Sequence, residues 1–214
     1  MYKINERLLS KYNRPKQPLN PKGFVIHSTS NEGATAENHY NYWNNEDRES
    51  SAHYVIDWNE IIRLIPENEI AWHAGNNRAN GTYLSAEMCE PRGYNMEQFN
   101  EVWRRTVWLV ADSCVNHGWS TGPNVWSHNG LRSLYPGIDH TDPYGFFKKY
   151  GKSWSDMIND IDAEIARMKN APEASEPVSD PDMYLTVKVR RSKADALIKE
   201  IIGMGYATKK LELP

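Results

Sequence analysis

The stretch Gly23-Phe24-Val25-Ile26-His27-Ser28-Thr29 decides the fold of this chain. Its apolar, β-branched residues follow a segment rich in proline, and this pattern predicts a short buried strand. The strand presents one histidine and two hydroxyl groups at its carboxyl end. Two interpretations of His27 are open at this point, because such a histidine is either hydrogen-bonded within the core or available as a ligand.

Four further segments predict strands, which together give a mixed central sheet of about five strands. They lie at residues 51–57, 61–65, 82–89 and 124–128. The first two are separated by a tight polar turn, which favours a hairpin. Parallel and antiparallel pairs in one sheet, with helices between the strands, indicate an α/β fold.

Helical periodicity is strongest between residues 96 and 117. Asn95 is a helix-capping residue with Gln98 at the reciprocal position, and apolar residues then recur at the i, i+3, i+4, i+7 spacing. Gly118 is the expected left-handed stop. A second amphipathic helix is predicted at residues 153–169, and a short one at residues 4–12.

The composition changes after residue 170 and predicts three parts. Residues 1–170 form the main domain, and residues 171–182 have the prolines and acids of a linker. Residues 183–214 predict a small basic β-α-β unit. A unit of this size cannot bury enough apolar area to be stable alone, so it must dock, pair with a copy of itself or be one part of a larger module.

Composition also excludes several classes of function. The net charge of −3 and the interspersed acidic and basic residues argue against a nucleic-acid partner. No apolar run is long enough for membrane insertion. The first fifteen residues lack the apolar core of a signal peptide, which predicts synthesis in the cytoplasm. Cys89 and Cys114 lie among apolar neighbours, as reduced core residues do.

Seven histidines are present, and several of them fall on predicted strands or at their ends. Two or three neutral imidazoles and a carboxylate, with one open position, are what a catalytic zinc ion needs. No HExxH spacing is present, so spacing alone indicates a metal only weakly. Ser127-His128-Asn129 superficially suggests a metal-dependent nuclease, but the chain lacks the basic surface of that class.

Six short motifs occur in one order along residues 20–150, and together they carry a resemblance to a known family. The motifs are Val25-Ile26-His27-Ser28-Thr29, Ser51-Ala52-His53-Tyr54-Val55-Ile56, Ala71-Trp72-His73-Ala74-Gly75, Ser85-Ala86-Glu87-Met88-Cys89-Glu90, Ser127-His128-Asn129 and His140-Thr141-Asp142-Pro143. The chain resembles the zinc-dependent N-acetylmuramoyl-L-alanine amidases, which are related to peptidoglycan recognition proteins and to the T7-type lysozyme.

This resemblance implies a role for each matching residue. It implies that His27, His128 and Asp142 bind Zn²⁺. By the same resemblance Glu87 is the catalytic acid/base, and His140 stands where several relatives have a lysine that stabilises the developing oxyanion.

Four other residues are expected to bind substrate. His53 and His73 are expected to line the cleft. Tyr54 and Trp72 could stack on sugar or peptide, with core packing as the open alternative.

The resemblance further implies the reaction and its setting. The reaction is hydrolysis of the amide between N-acetylmuramic acid and L-alanine in bacterial peptidoglycan. A recognition protein that binds muropeptides without cutting them is the alternative from another functional class. The layout looks like a phage or prophage endolysin, which reaches the wall after the membrane is permeabilised. Residues 183–214 are then expected to bind the cell wall or to mediate self-association. A bacterial autolysin exported by another route is the second setting.

Overall fold

Six strands form one mixed sheet in the computed structural model, which describes residues 1–170. The strands are β1 (Ile4–Glu6), β2 (Gly23–Ser28), β3 (Tyr54–Ile56), β4 (Ile61–Arg63), β5 (Tyr83–Met88) and β6 (Val125–Ser127). Their order across the sheet is β1-β4-β3-β5-β2-β6. Neighbouring strands are parallel except for the antiparallel hairpin of β3 and β4.

Seven helices accompany this sheet in the described residues. They are α1 (Ala36–Asn45), α2 (Asn77–Asn80), α3 (Met96–His117), α4 (Thr121–Asn124), α5 (His128–Leu131), α6 (Tyr144–Lys149) and α7 (Trp154–Asn170). None of these helices is both long enough and apolar enough to cross a membrane. The predicted α/β architecture is confirmed, while the linker at 171–182 and the unit at 183–214 lie outside the described residues.

The amino-terminal segment differs from its prediction. The helix predicted at residues 4–12 is wrong, because residues 4–6 form strand β1 and pair with residues 61–63 of β4. The chain then continues along β4, where the Leu9 amide donates to the carbonyl of Leu64 at 2.9 Å. The exposed edge of β4 offers backbone partners over this whole length, and pairing with them outweighs a weak local helical pattern.

Strand β2 lies between β5 and β6, and all six of its residues are buried. Its side chains alternate between the two faces of the sheet. Phe24 and Ile26 enter the core beneath α3 and α7, whereas Val25 packs on the opposite face against the loops that follow β6. His27 therefore shares the face of Val25 and points away from the main core.

Helix α3 covers the first face, as its periodicity predicts. The Asn95 side chain accepts a hydrogen bond from the Gln98 amide at 3.1 Å. Gly118 ends the helix with a φ of 69°, a left-handed conformation that glycine adopts without a Cβ penalty. Cys114 of this helix and Cys89 are buried free thiols, as expected.

We predict that Gly23→Ala destabilises the fold. A Cβ on Gly23 would lie 2.1 Å from the carbonyl oxygen of Asn124, so the β2–β6 pair would have to separate. Overpacking of this kind costs roughly 1–3 kcal/mol in the free energy of unfolding, measurable by urea denaturation.

The matched control for that substitution is Gly145→Ala in α6. A Cβ at this position meets no atom within 4 Å, so its stability should stay within about 1 kcal/mol of the parent. Equal stability of the Gly23 variant and the parent would contradict the prediction and show that β2 and β6 can separate without loss of stability.

Candidate metal centre

The candidate centre lies where two parallel strands end side by side. Ile26 of β2 is in register with Ser127 of β6, so the next residues, His27 and His128, are neighbours. His128 opens helix α5, whose first turn is fixed by the Ser127 hydroxyl accepting from the Gly130 amide at 2.9 Å. The local geometry of strand end and helix start therefore brings two imidazoles together.

Asp142 reaches the same point from the loop that precedes α6. Its backbone carbonyl accepts from the Asn129 amide at 3.0 Å, and its Oδ2 accepts from the Ser28 amide at 3.3 Å. These two contacts tie the loop to both strand ends. The side chain is thereby held against the two histidines despite a separation of 114 residues from Ser28.

Three potential ligand atoms converge at this centre. The Nδ1 atoms of His27 and His128 are 3.0 Å apart. Asp142 Oδ2 is 3.3 Å from His27 Nδ1, and its Oδ1 is 3.1 Å from His128 Nδ1. Ligand atoms of the three residues all lie within 4.8 Å of one another, so a single cation could contact all three.

The protonation of this cluster suits a cation. Burial lowers the pKa of His27, which is only 1% exposed, and so favours its neutral form. Burial alone would raise the pKa of the Asp142 carboxyl, but hydrogen bonds from His128 and His27 hold it well below its usual range. Neutral imidazoles and an ionised carboxylate are the forms in which these side chains bind metals.

Glu87 stands beside the cluster on the neighbouring strand. It is in register with His27 across the β2–β5 pair, and in-register residues of parallel strands share one face. Its Oε2 is buried and has no hydrogen-bond partner among residues 1–170. Burial, with the negative charges of Asp142 and Glu90, raises the pKa of Glu87 to about 8.

His140 lies at the open side of the centre. Its side chain is 64% exposed and stacks on His128 with 4.5 Å between ring centroids. Its Nδ1 is 3.7 Å from Asp142 Oδ1. An N–H group of this ring is therefore available to a molecule that approaches the cluster from solvent.

His53 and Tyr54, which are expected to bind substrate, are both enclosed by the fold. His53 is 0% exposed, and its Nε2 hydrogen-bonds the carbonyl of Glu69 at 2.9 Å. Tyr54 is 1% exposed, stacks on Phe24 and donates its hydroxyl hydrogen to Glu67. The pairing of β3 with β4 and β5 encloses both rings.

Trp72 and His73 take different positions. Trp72 is partly exposed and lines a cavity of about 330 Å³ together with Glu49, Gly75, Asn77 and Asn80. His73 is buried instead, and its Nδ1 lies 3.0 Å from His27 Nε2. Sequence reasoning missed this contact, since the motif that contains His73 is a loop without periodicity.

A larger cavity of about 570 Å³ lies elsewhere, between the amino terminus, α3 and α7. None of the described residues that line it is a histidine or a cysteine. Its size alone does not make it the chemical site, because the convergent titratable groups lie on the other face of the sheet.

Comparison with known proteins identifies the family of this chain. The family described as N-acetylmuramoyl-L-alanine amidase matches residues 17–145, and the chain belongs to this family. The N-acetylmuramoyl-L-alanine amidase CwlL of Bacillus licheniformis is 28% identical over 94% of this chain. The alignment spans 59% of the length of CwlL.

Solved structures share the fold. A mutant endolysin from Bacillus subtilis is 27% identical, with a TM-score of 0.62 over 75% of this chain and 99% of that one. The Staphylococcus aureus hydrolase AmiA, solved with its ligand, has a TM-score of 0.67 at 21% identity and covers 78% of this chain and 85% of its own. The similarity to AmiA concerns the fold alone.

Buried His53 should make stability depend on pH. Burial lowers the pKa of His53 to about 4, so between pH 6.5 and 4 the unfolded chain binds a proton that the folded chain does not. Stability is therefore lost as the pH falls through this window, by on the order of 3 kcal/mol from this residue.

The substitution His53→Asn tests this prediction. In the parent, His53 Nδ1 accepts a hydrogen bond from the Ser85 amide. Asparagine keeps an acceptor near that position but does not titrate. Urea unfolding in the presence of a chelator, from pH 7 to pH 4.5, should show a shallower loss of stability in the variant. An identical slope for variant and parent would mean that His53 is already accessible to protons in the fold.

Proposed function

We propose that this chain hydrolyses the amide bond between N-acetylmuramic acid and L-alanine in bacterial peptidoglycan, with Zn²⁺ held by His27, His128 and Asp142. The observation that carries the proposal is the convergence of two imidazole nitrogens and a carboxylate beside a glutamate whose Oε2 is buried. The chain belongs to the amidase family over residues 17–145. The aligned region spans 59% of the length of CwlL, so the activity of this chain is a proposal.

The donor set fits zinc. Two neutral imidazoles and one carboxylate are a ligand set for a catalytic zinc ion, which keeps a fourth position for water or substrate. His128 Nε2 is buried without a hydrogen-bond partner in the described residues, so its ring is positioned through Nδ1, on the side of the cluster. When bound, the ion supplies Lewis acidity toward the scissile carbonyl and toward water.

Glu87 is proposed as the acid/base. A carboxyl group with a raised pKa can take a proton from water and return it to the leaving amine of L-alanine. Its position supports this role because it shares the sheet face of His27 and, within the described part of the chain, its Oε2 makes no competing hydrogen bond.

His140 and Trp72 are proposed to contact the substrate. An N–H group of His140, at the exposed side of His128, would donate to the carbonyl oxygen as negative charge develops there. The Trp72 ring, which lines the cavity of about 330 Å³, offers an apolar face and one N–H donor to a sugar or peptide.

The setting is proposed as that of an endolysin made in the cytoplasm, which acts on the wall after the membrane is permeabilised. The fold shared with the Bacillus subtilis endolysin supports it. The roles predicted for residues 183–214, wall binding or self-association, stay predictions.

Metal removal should abolish activity. Purified cell walls digested by the parent chain should release new amino groups from L-alanine and no new reducing ends. Treatment with a chelator should stop this release, and added Zn²⁺ should restore it, because the three ligands act through the ion.

The variant Asp142→Asn is the partner experiment. It removes the anionic ligand, and we expect no restoration by Zn²⁺ at concentrations that reactivate the parent. New reducing ends without new amines would overturn the amidase assignment. Wall binding without any bond cleavage would favour the recognition-protein alternative.

The proton-transfer role should be separable from metal binding. Glu87→Gln should keep the metal and lower the turnover rate by roughly 10²–10⁴-fold, because the amide cannot exchange the proton. Glu90→Gln, three residues away along the chain, should stay within a few-fold of the parent. If both variants cleave walls at the parental rate, a different group transfers the proton.

A further inference from the structure

The His27 ring is contacted at both of its nitrogens. Nδ1 faces His128 and Asp142 in the cluster, whereas Nε2 points away from it and lies 3.0 Å from His73 Nδ1. His27 and His73 are 1% and 9% exposed, and their rings meet edge to face with centroids 5.1 Å apart. The contact is therefore enclosed by protein and not a chance meeting of surface side chains.

The position of His73 is itself fixed. Asn80, 5% exposed at the end of α2, accepts two hydrogen bonds with its Oδ1. They come from the backbone amides of His73 at 3.0 Å and Ala74 at 2.8 Å. Because the Asn80 side chain accepts hydrogen bonds from two successive backbone amides, it holds the loop in one conformation. In that conformation the ring of His73 faces His27.

The direction of the hydrogen bond follows from imidazole chemistry. A neutral imidazole that offers the lone pair of Nδ1 to a cation carries its proton on Nε2. For His27 that proton faces His73 Nδ1, which must then accept it. An acceptor of this kind orients a metal-binding histidine and selects its tautomer. In many metal sites the acceptor is a carboxylate or a backbone carbonyl.

We propose that His73 is a positioning residue for the metal centre: its Nδ1 accepts the Nε2–H of His27 and holds the His27 ring with Nδ1 toward the cation. The inference rests on the proposed zinc site and deepens it. It gives His73 a role other than the substrate contact expected from its motif.

Two substitutions of nearly equal shape test the proposal. His73→Asn keeps an oxygen acceptor near the Nδ1 position, whereas His73→Leu has the same branching at Cγ and no acceptor. Zn²⁺ affinity is measured at equilibrium by competition with a chromophoric chelator, using the full chain. Urea unfolding of the metal-free proteins measures any purely structural effect.

We expect His73→Leu to weaken Zn²⁺ binding by roughly 10- to 100-fold, the range known for partners of metal-binding histidines. His73→Asn should stay within a few-fold of the parent. Equal affinity of all three proteins would overturn the proposal. An equal loss in both variants would also overturn it, since that result describes packing and not hydrogen bonding.

A second measurement covers the case in which the leucine variant does not fold. Nitrogen-15 chemical shifts of the zinc-loaded parent should show His73 protonated at Nε2 and accepting at Nδ1. The opposite tautomer overturns the proposal. A parent chain that binds no Zn²⁺ overturns both this inference and the proposed function, whereas a zinc-binding, amine-releasing parent with unaffected variants overturns this inference alone.

Discussion

The parallel, in-register pairing of β2 with β5 and β6 is the constraint on which the rest of the structure depends. On one side it places His27 in register with Glu87. On the other side it pairs Ile26 with Ser127, so that the next residues, His27 and His128, are neighbours. A shift of one residue in either pair would turn a side chain to the opposite face. The core packed beneath α3, which buries Phe24 and Ile26, therefore fixes the geometry of the centre as well as the stability of the sheet.

The centre also concentrates an electrostatic cost. Two imidazoles and two carboxylates lie in a region largely shielded from water, where charged forms are expensive. The backbone amide of Ser28 and the two histidines offset part of that cost for Asp142, while Glu87 receives no such help for its Oε2. The two carboxylates therefore have pKa values displaced in opposite directions, which suits one to bind a cation and the other to exchange a proton.

Much of the fold could be predicted from the sequence because local signals were strong. The apolar run of β2 predicts a buried strand, and the spacing from Phe99 to Cys114 predicts an amphipathic helix. Both elements are present in the structure. The strand at residues 4–6 could not be found, because its pairing with β4 is a long-range property. The grouping of His27, His128 and Asp142 was implied by the family resemblance. The burial of Tyr54, in contrast, depends on sheet register, and the contact of His73 depends on a loop held by Asn80.

The position of Asp142 late in the domain has a consequence for biosynthesis. The proposed ligands are residues 27, 128 and 142, in that order along the chain. A nascent chain that has emerged only as far as β5 contains His27 and Glu87 but lacks two of these three residues. The third proposed ligand is added after nearly the whole domain has been made, so the complete candidate centre is among the last features that the growing polypeptide acquires.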